Sequence, residues 1–313
     1  MKKRIIYDGD PGIDDALAIL LATQLSNTEL LGVTTVAGNA PLPYTTRNAL
    51  NVLEKIASRN DIPVAAGFAH PIIRKINFSP LIHGSDGLAE TFLPDPETKP
   101  AALHALDQII YQVKQNKGQI TVVSAGPLTN LAIALLKEPD LKNDVKNVVI
   151  MGGCIRTPGN VTMAAEFNIY SDPEAAHIVF TSGLPITLVS LDLTTNGKNI
   201  FTRKLFSKIR WKKSAAATFV QRLLQFYIGT SMQNRGIDGC YLHDPLAMLL
   251  AIDPDLIKED ERIFVDVELH GDLTFGRTQA DLRKNSEAIP NVRHILNLDF
   301  ERALNTFLET LNN

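Results

Sequence analysis

Short apolar runs without clean period-two alternation, each followed by a segment at helical spacing, recur along this chain and constrain its fold more than any other feature. Ile5-Ile6-Tyr7 ends in a polar loop, and residues 14–25 then place Leu17, Leu20, Leu21 and Leu25 at helical spacing. The unit repeats. Residues 30–36, 120–124, 148–151 and 186–191 read as strands, and 45–56, 128–136 and 173–180 as helices. Strands apolar on both faces, alternating with helices, predict an α/β fold: a mainly parallel open sheet flanked by helices. In such sheets ligands bind beyond the carboxyl ends of the strands.

Two stretches break the rhythm. Residues 69–100 show little periodicity, hold five prolines and include His83-Gly84-Ser85-Asp86-Gly87. A loop of that length inside a compact domain is usually functional or mobile. Beyond Asp244 come three β-rich stretches, 263–269, 274–280 and 292–298, and a closing helix at 300–311. With no internal repeat and no low-complexity linker, residues 1–313 read as a single domain with a β-rich C-terminal elaboration.

The loop after the first strand, Asp8-Gly9-Asp10-Pro11-Gly12-Ile13-Asp14-Asp15, holds four carboxylates in eight residues and no Lys or Arg. One or two carboxylates at a helix start are ordinary, and Asp14 taken alone reads as a cap. Four converging ones repel and raise one another's pKa unless a cation or positive partner is present. Oxygen ligands of this kind suit Ca²⁺ or Mg²⁺, and the lack of Cys/His spacing disfavours zinc. Neither a G-x-G-x-x-G run nor a P-loop lysine is present, so phosphate cradling is not expected. An Asp-x-Asp at a strand end also fits an aspartate-nucleophile phosphatase, with Ser124 standing for that class's second motif.

Against this local excess of acid the whole chain is nearly balanced, with 31 Lys+Arg, 34 Asp+Glu and a net charge of −3. That balance argues against a nucleic-acid or anionic-membrane partner. The hydrophobic share of 45% and charged share of 21% are those of a folded globular chain. Cys154 and Cys240 are too few for a disulfide framework or a metal site of their own. The basic N-terminus reaches Asp8 after only three apolar residues, too few for a signal peptide. The longest apolar run, 16–22, falls short of the roughly 20 residues that span a bilayer. The expected location is the cytoplasm.

The segment Asp8 to Ala16 resembles the D-x-D-P-G-x-D-D signature of the inosine-uridine-preferring nucleoside hydrolases, which cleave the N-glycosidic bond of ribonucleosides. The resemblance continues in order through Val36-Ala37-Gly38-Asn39, Ile82-His83-Gly84, Ala125-Gly126-Pro127-Leu128-Thr129-Asn130 and Met151-Gly152-Gly153. It then takes in Ala165-Glu166-Phe167-Asn168, Asp172-Pro173-Glu174-Ala175-Ala176 and His243-Asp244-Pro245. It implies the family's Rossmann-like fold, a homodimer or homotetramer, and one bound Ca²⁺. The implied ligands are Asp10, Asp15, Asp244 and the backbone carbonyl of Ala125, with further positions left to water and the ribose diol. A cation at the diol orients the sugar and acidifies a water, whose proton Asp10 accepts. The oxocarbenium-like transition state then takes water directly at the anomeric carbon. By the same resemblance Asp14, Asn39 and Asn168 hydrogen-bond the ribose hydroxyls or the water, while Asn160 and Glu166 hold the 5′-hydroxyl end.

The departing base carries negative charge, and His243 and His83 are the residues expected to help it leave, since His alone has an unperturbed pKa near working pH. His70, His104, His177, His270 and His294 read as surface or satisfied core residues. Phe167 and Tyr227 are expected to stack on the base. Tyr227 falls sixteen residues before His243, where purine-tolerant relatives carry a tyrosine and a pyrimidine-preferring group a threonine. Ser231 stands at that group's glutamine position, and Arg235 where some relatives place an aromatic. The run 203–213, with six basic residues and Trp211, reads as a solvated or subunit-contact segment. A nucleoside or ribose sensor without chemistry is the rival from another class, and the joint presence of Asp10, Asp15, Asp244 and His243 speaks against it.

Overall fold

The computed structural model describes residues 2–76 and 78–313. Its strands are β1 (Lys3–Gly9), β2 (Thr28–Thr35), β3 (Val64–Ala66), β4 (Ile120–Ser124), β5 (Asn147–Met151), β6 (Ile186–Val189), β7 (Ile200–Thr202), β8 (Gly239–Tyr241), β9 (Ile257–Val267), β10 (Thr278–Asp281) and β11 (Val292–Leu298). One nine-stranded sheet runs in the order β10-β9-β11-β6-β5-β4-β1-β2-β3. From β3 to β11 every neighbouring pair is parallel, while β9 and β10 join antiparallel at the far edge. The expected open, mainly parallel sheet with a β-rich C-terminal addition is present.

The apolar runs are unbroken because both faces are covered. Ile5 and Tyr7 of β1, with Val149 and Met151 of β5, pack toward the helices Ile13–Gln24, His243–Ile252 and Phe300–Leu311. Ile6, Val148 and Ile150 pack oppositely, toward the helices Ala105–Gln115, Thr129–Lys137 and Pro173–Thr181. Every residue of the helix His243–Ile252 is buried, as are ten of the twelve in Ile13–Gln24. A helix apolar all round belongs in a core.

Strand β1 lies between β2 and β4, so the chain leaves it toward β2 on one side and meets β4 on the other. The loops after β1 and β4 therefore diverge and leave a crevice at this switch in strand order. The carboxylate loop and Ala125 follow these two strands.

Several boundaries differ from the sequence pattern. The helix expected at 45–56 is Leu42–Asn51 followed by a wider π turn, Val52–Ile56. The strand expected at 263–269 begins at Ile257, its charged residues Lys258, Glu259 and Asp260 hiding it from an apolar reading. The stretch 274–280 becomes strand only at Thr278. Residues 69–100 remain loop apart from the short helix Pro80–His83, with Asn77 outside the described residues. The basic run includes the helix Arg203–Phe206 and is tied to the C-terminus, where Lys212 N–H donates to Asn312 Oδ1 at 2.9 Å. Among the described residues no helix is long and apolar enough to cross a membrane.

Candidate active site

Asp15 is the third residue of its helix and reaches back over the helix start, where its Oδ2 accepts the Gly12 N–H at 2.9 Å. The cap thus belongs to Asp15 and not to Asp14, because a side chain at the third helical position is the one that can fold back onto the first free N–H groups. Asp15 is held by three further donors: the Tyr7 hydroxyl at 2.8 Å, the Asp10 N–H at 3.2 Å and Asn39 Nδ2 at 3.2 Å. Asp14, released from capping, lines a cavity.

Asp10 is fully buried, with Oδ2 accepting the Asn39 N–H at 2.6 Å and Oδ1 left without a partner. Side chains on Gly38 or Gly126 would collide with this carboxylate, so both positions suit glycine. Asp244 sits in the first turn of the helix His243–Ile252, which packs against the helix Ile13–Gln24. Two helix N-termini thus bring their positive dipole ends to one group of carboxylates. One oxygen each from Asp14, Asp15 and Asp244 lie within 4.8 Å of one another.

Burial, then mutual repulsion, pushes Asp10 and Asp244 well above the usual carboxylate range. The same causes raise Asp14 to about 7, against a pull downward from Arg235. A buried carboxylate oxygen with no donor, beside repelling carboxylates that offer only hard oxygen ligands, fits Ca²⁺ or Mg²⁺. Ala125 lines the same cavity, and its carbonyl accepts Asn168 Nδ2 at 3.3 Å.

Asp8 stands apart from the others. Its carboxylate takes the Thr34 hydroxyl at 2.7 Å, Asn130 Nδ2 at 2.8 Å and the Ser124 hydroxyl at 3.1 Å. Burial raises it to about 6. Neither Asp8 nor Ser124 lines the cavity, and both are buried. The pair that an aspartate-nucleophile phosphatase would use therefore serves to tie β1, β2 and β4 together.

The cavity has a volume of about 510 Å³. It gathers residues from across the sequence: Asp14, Asn39, His83, Ala125, Asn160, Glu166, Phe167, Asn168, Tyr227, His243 and Asp244 all line it. Asp10 and Asp15 do not; Asn39, which does, donates to both. Glu166 also caps the helix Phe167–Ser171, accepting the Asn168 N–H at 2.9 Å and the Ile169 N–H at 3.1 Å. Asn160 Oδ1 accepts the Phe167 N–H at 2.9 Å, so these two polar residues are fixed in place by backbone groups.

His83 Nδ1 accepts the Ile13 N–H at 3.1 Å, which leaves the proton of the neutral ring on Nε2. His243 Nδ1 lies 2.8 Å from the Thr194 hydroxyl. Burial, assisted by the nearby charge of Arg235, lowers both histidines to about 3. Burial thus disfavours the charged imidazolium at both positions, and the donor that His83 keeps is its Nε2–H. The other histidines are structural or exposed. His104 caps its helix, His177 pairs with Asp266 at 2.6 Å, and His294 is buried between Ser190 and Glu261, while His70 and His270 are exposed.

Sequence reasoning found Ile82 through its motif but missed the rest of the mouth, where Phe78, Leu81, Val161 and Asn234 contribute walls. Phe78 and Val161 lie in aperiodic loops, Leu81 in the short helix Pro80–His83 and Asn234 at the end of the helix Ala215–Arg235, where no spacing announces a role.

The family model described as inosine-uridine preferring nucleoside hydrolase matches residues 5–305. An inosine-uridine preferring nucleoside hydrolase of Crithidia fasciculata is 40% identical over 313 residues, covering 99% of this chain and 98% of that protein. A pyrimidine-specific ribonucleoside hydrolase of Escherichia coli is 38% identical over 281 residues, covering 90% and 88%. The solved structure of a plant nucleoside hydrolase superposes with a TM-score of 0.93 at 35% identity, covering 100% of this chain and 99% of that one. With the fold, the cavity and the ordered motifs in agreement over almost its whole length, the chain belongs to the inosine-uridine preferring nucleoside hydrolases, enzymes that cleave ribonucleosides.

Proposed function

We propose that this protein hydrolyses the N-glycosidic bond of ribonucleosides to ribose and a free purine or pyrimidine base, with one Ca²⁺ held by Asp10, Asp15, Asp244 and the Ala125 carbonyl. The observation that carries the metal is the buried, donorless Oδ1 of Asp10 beside carboxylates that repel one another. The cavity of about 510 Å³ is of a size that takes a small ligand. Ca²⁺ bound here supplies the charge that orients the ribose diol and acidifies a water.

The rest of the chemistry falls to the chain's own groups. Asp10 takes the water's proton at Oδ1, while the Asn39 N–H at 2.6 Å on Oδ2 keeps the carboxylate from rotating away. Asp14, Asn39 and Asn168 hold the ribose hydroxyls, and Asn160 and Glu166 the 5′-hydroxyl end. Phe167 and Tyr227 flank the base, and neutral His83 and His243 donate N–H hydrogen bonds to it. The water oxygen bonds to the anomeric carbon as the bond to the base nitrogen breaks, and the base leaves with that electron pair. No covalent sugar–enzyme species is required.

The same reading makes residues 1–313 one domain of a cytoplasmic homodimer or homotetramer that serves purine and pyrimidine salvage. Support comes from the resemblance and from the single nine-stranded sheet. The test is initial rates on inosine, uridine, cytidine and adenosine, with p-nitrophenyl phosphate alongside. Release of ribose and free base is the expected result. Phosphate release in its place would favour the phosphatase, and nucleoside binding without turnover would favour the sensor.

A further inference from the structure

The segment that follows His83 is wound in a way few side chains favour. Gly84 and Gly87 stand in the left-handed region at φ 84° and 71°, and so do Ala89, Glu90 and Phe92 at φ 59°, 52° and 46°. Non-glycine residues persist there only where their surroundings hold them. Asp86 does the holding: its buried carboxylate accepts the Leu88 N–H at 2.8 Å, the Glu90 N–H at 2.8 Å and the Phe92 N–H at 2.9 Å. The Ala89 N–H donates to His83 O at 2.8 Å, so the wound turn closes on a residue that lines the cavity. On its outer side the helix Ala215–Arg235 adds support, Asn234 Nδ2 donating to Leu81 O at 3.1 Å and the Thr230 hydroxyl to Ile82 O at 3.4 Å.

This turn meets the carboxylate loop at two points. One is the bond from the Ile13 N–H to His83 Nδ1. The other runs through Asn48, 1% exposed in the helix Leu42–Asn51, whose Nδ2 donates to Pro11 O at 3.0 Å and to Asp86 O at 3.2 Å. An amide nitrogen carries two hydrogens, one for each carbonyl, which an aliphatic side chain, a carboxylate or a hydroxyl cannot supply. The approach is close: a Cβ on Gly87 would meet Ala40 Cβ at 3.0 Å and Asn48 Nδ2 at 3.2 Å. Asn48 itself does not line the cavity.

We infer that Asn48 is a positioning residue, whose amide holds the turn at Asp86 against the carboxylate loop at Pro11 and so fixes the His83 ring at the cavity wall. The inference rests on the hydrolase reading above, in which His83 meets the substrate. Without the amide, Pro11 O and Asp86 O lose a buried donor, and the turn is free to shift with His83 on it. The carboxylates keep their own bonds to Asn39, Tyr7 and the Gly12 N–H. The cost of losing Asn48 therefore depends on the presence of the His83 ring, and residues that act through one another in this way are not additive.

The test is a double-mutant cycle in kcat and KM on inosine with Asn48→Ala and His83→Ala, the melting temperature of each variant measured alongside. Asn48→Ala is expected to lose about five- to tenfold, mainly in kcat, in the unaltered background and no more than about twofold in the His83→Ala background. Asn48→Ser, which keeps one hydrogen for one of the two carbonyls, is expected to lose less than Asn48→Ala, and it carries the same cycle should Asn48→Ala not fold. Losses that multiply in full in the double variant, or a folded Asn48→Ala protein with undiminished kcat, overturn the inference while leaving the hydrolase reading in place. Failure of both Asn48 variants to fold overturns it as well, since Asn48 then serves the fold and not the site. An unaltered protein that releases no base from any ribonucleoside overturns inference and reading together.

Discussion

At the end we assign to the sugar, Asp10, Asp14, Asp15 and Asp244 are buried in the loop after β1 and the first turns of two helices, with Asp14 and Asp244 lining the cavity and Asp10 and Asp15 set back from it. At the base end the walls are loop residues such as Phe78 and Val161, with Leu81 74% exposed, and a helix terminus carrying Arg235. The first region has no freedom to change without exposing an unpaired charge to a buried site. The second is open to substitution at its rim, where Phe78, Leu81 and Val161 border solvent. On the function proposed above, whether the glycosidic bond breaks is a property of the sugar end, and how fast each base departs is a property of the base end.

The largest effect expected from this division is on the sugar. A site that pairs each ribose hydroxyl leaves its own buried groups unpaired when one hydroxyl is missing, and the resulting discrimination reaches about 10⁴-fold. Parallel kcat/KM measurements on inosine and 2′-deoxyinosine check this, and comparable values would dissolve the contrast between the two ends. Next comes Asp10→Asn, expected to lower kcat by about 10³-fold on inosine and uridine alike while some nucleoside binding persists. A loss confined to one base would show that Asp10 does not act on the sugar.

The smallest effect belongs to His83. Since burial lowers its ring to about 3, the charged form is gone well below neutrality and nothing is lost as pH rises through 6.5. His83→Gln is expected to cost about tenfold in kcat/KM, the worth of one hydrogen bond, with a pH profile parallel to that of the unaltered protein between about pH 6 and 8. Disappearance of a limb near pH 6.5 in the variant would mean that His83 is a titrating acid after all.

The central strands were legible because each is apolar on both faces, and the carboxylate loop because its four acids are neighbours in sequence. The three-residue strand β3, the β7–β8 pair and the charged start of β9 were not, since short or half-exposed strands carry too little apolar signal. The site divides in the same way. That Asp244 would meet Asp14 and Asp15 across more than 200 residues came from the ordered motifs, not from spacing. Which aspartate caps the helix depended on side-chain reach, and the protonation of His83 and His243 on burial. The place of Arg235 depended on the packing of a helix end against the loop at Leu81 and Ile82.

Everything proposed for the sugar end turns on a cation among the carboxylates, and ribose release from inosine by chelator-treated protein, before and after Ca²⁺ is added, puts that to the test. The expected result is a fall of at least about 100-fold in chelator with recovery on Ca²⁺ addition. Undiminished ribose release in the chelator would contradict it, and would leave the buried carboxylates of Asp10, Asp14, Asp15 and Asp244 without the charge that their arrangement requires.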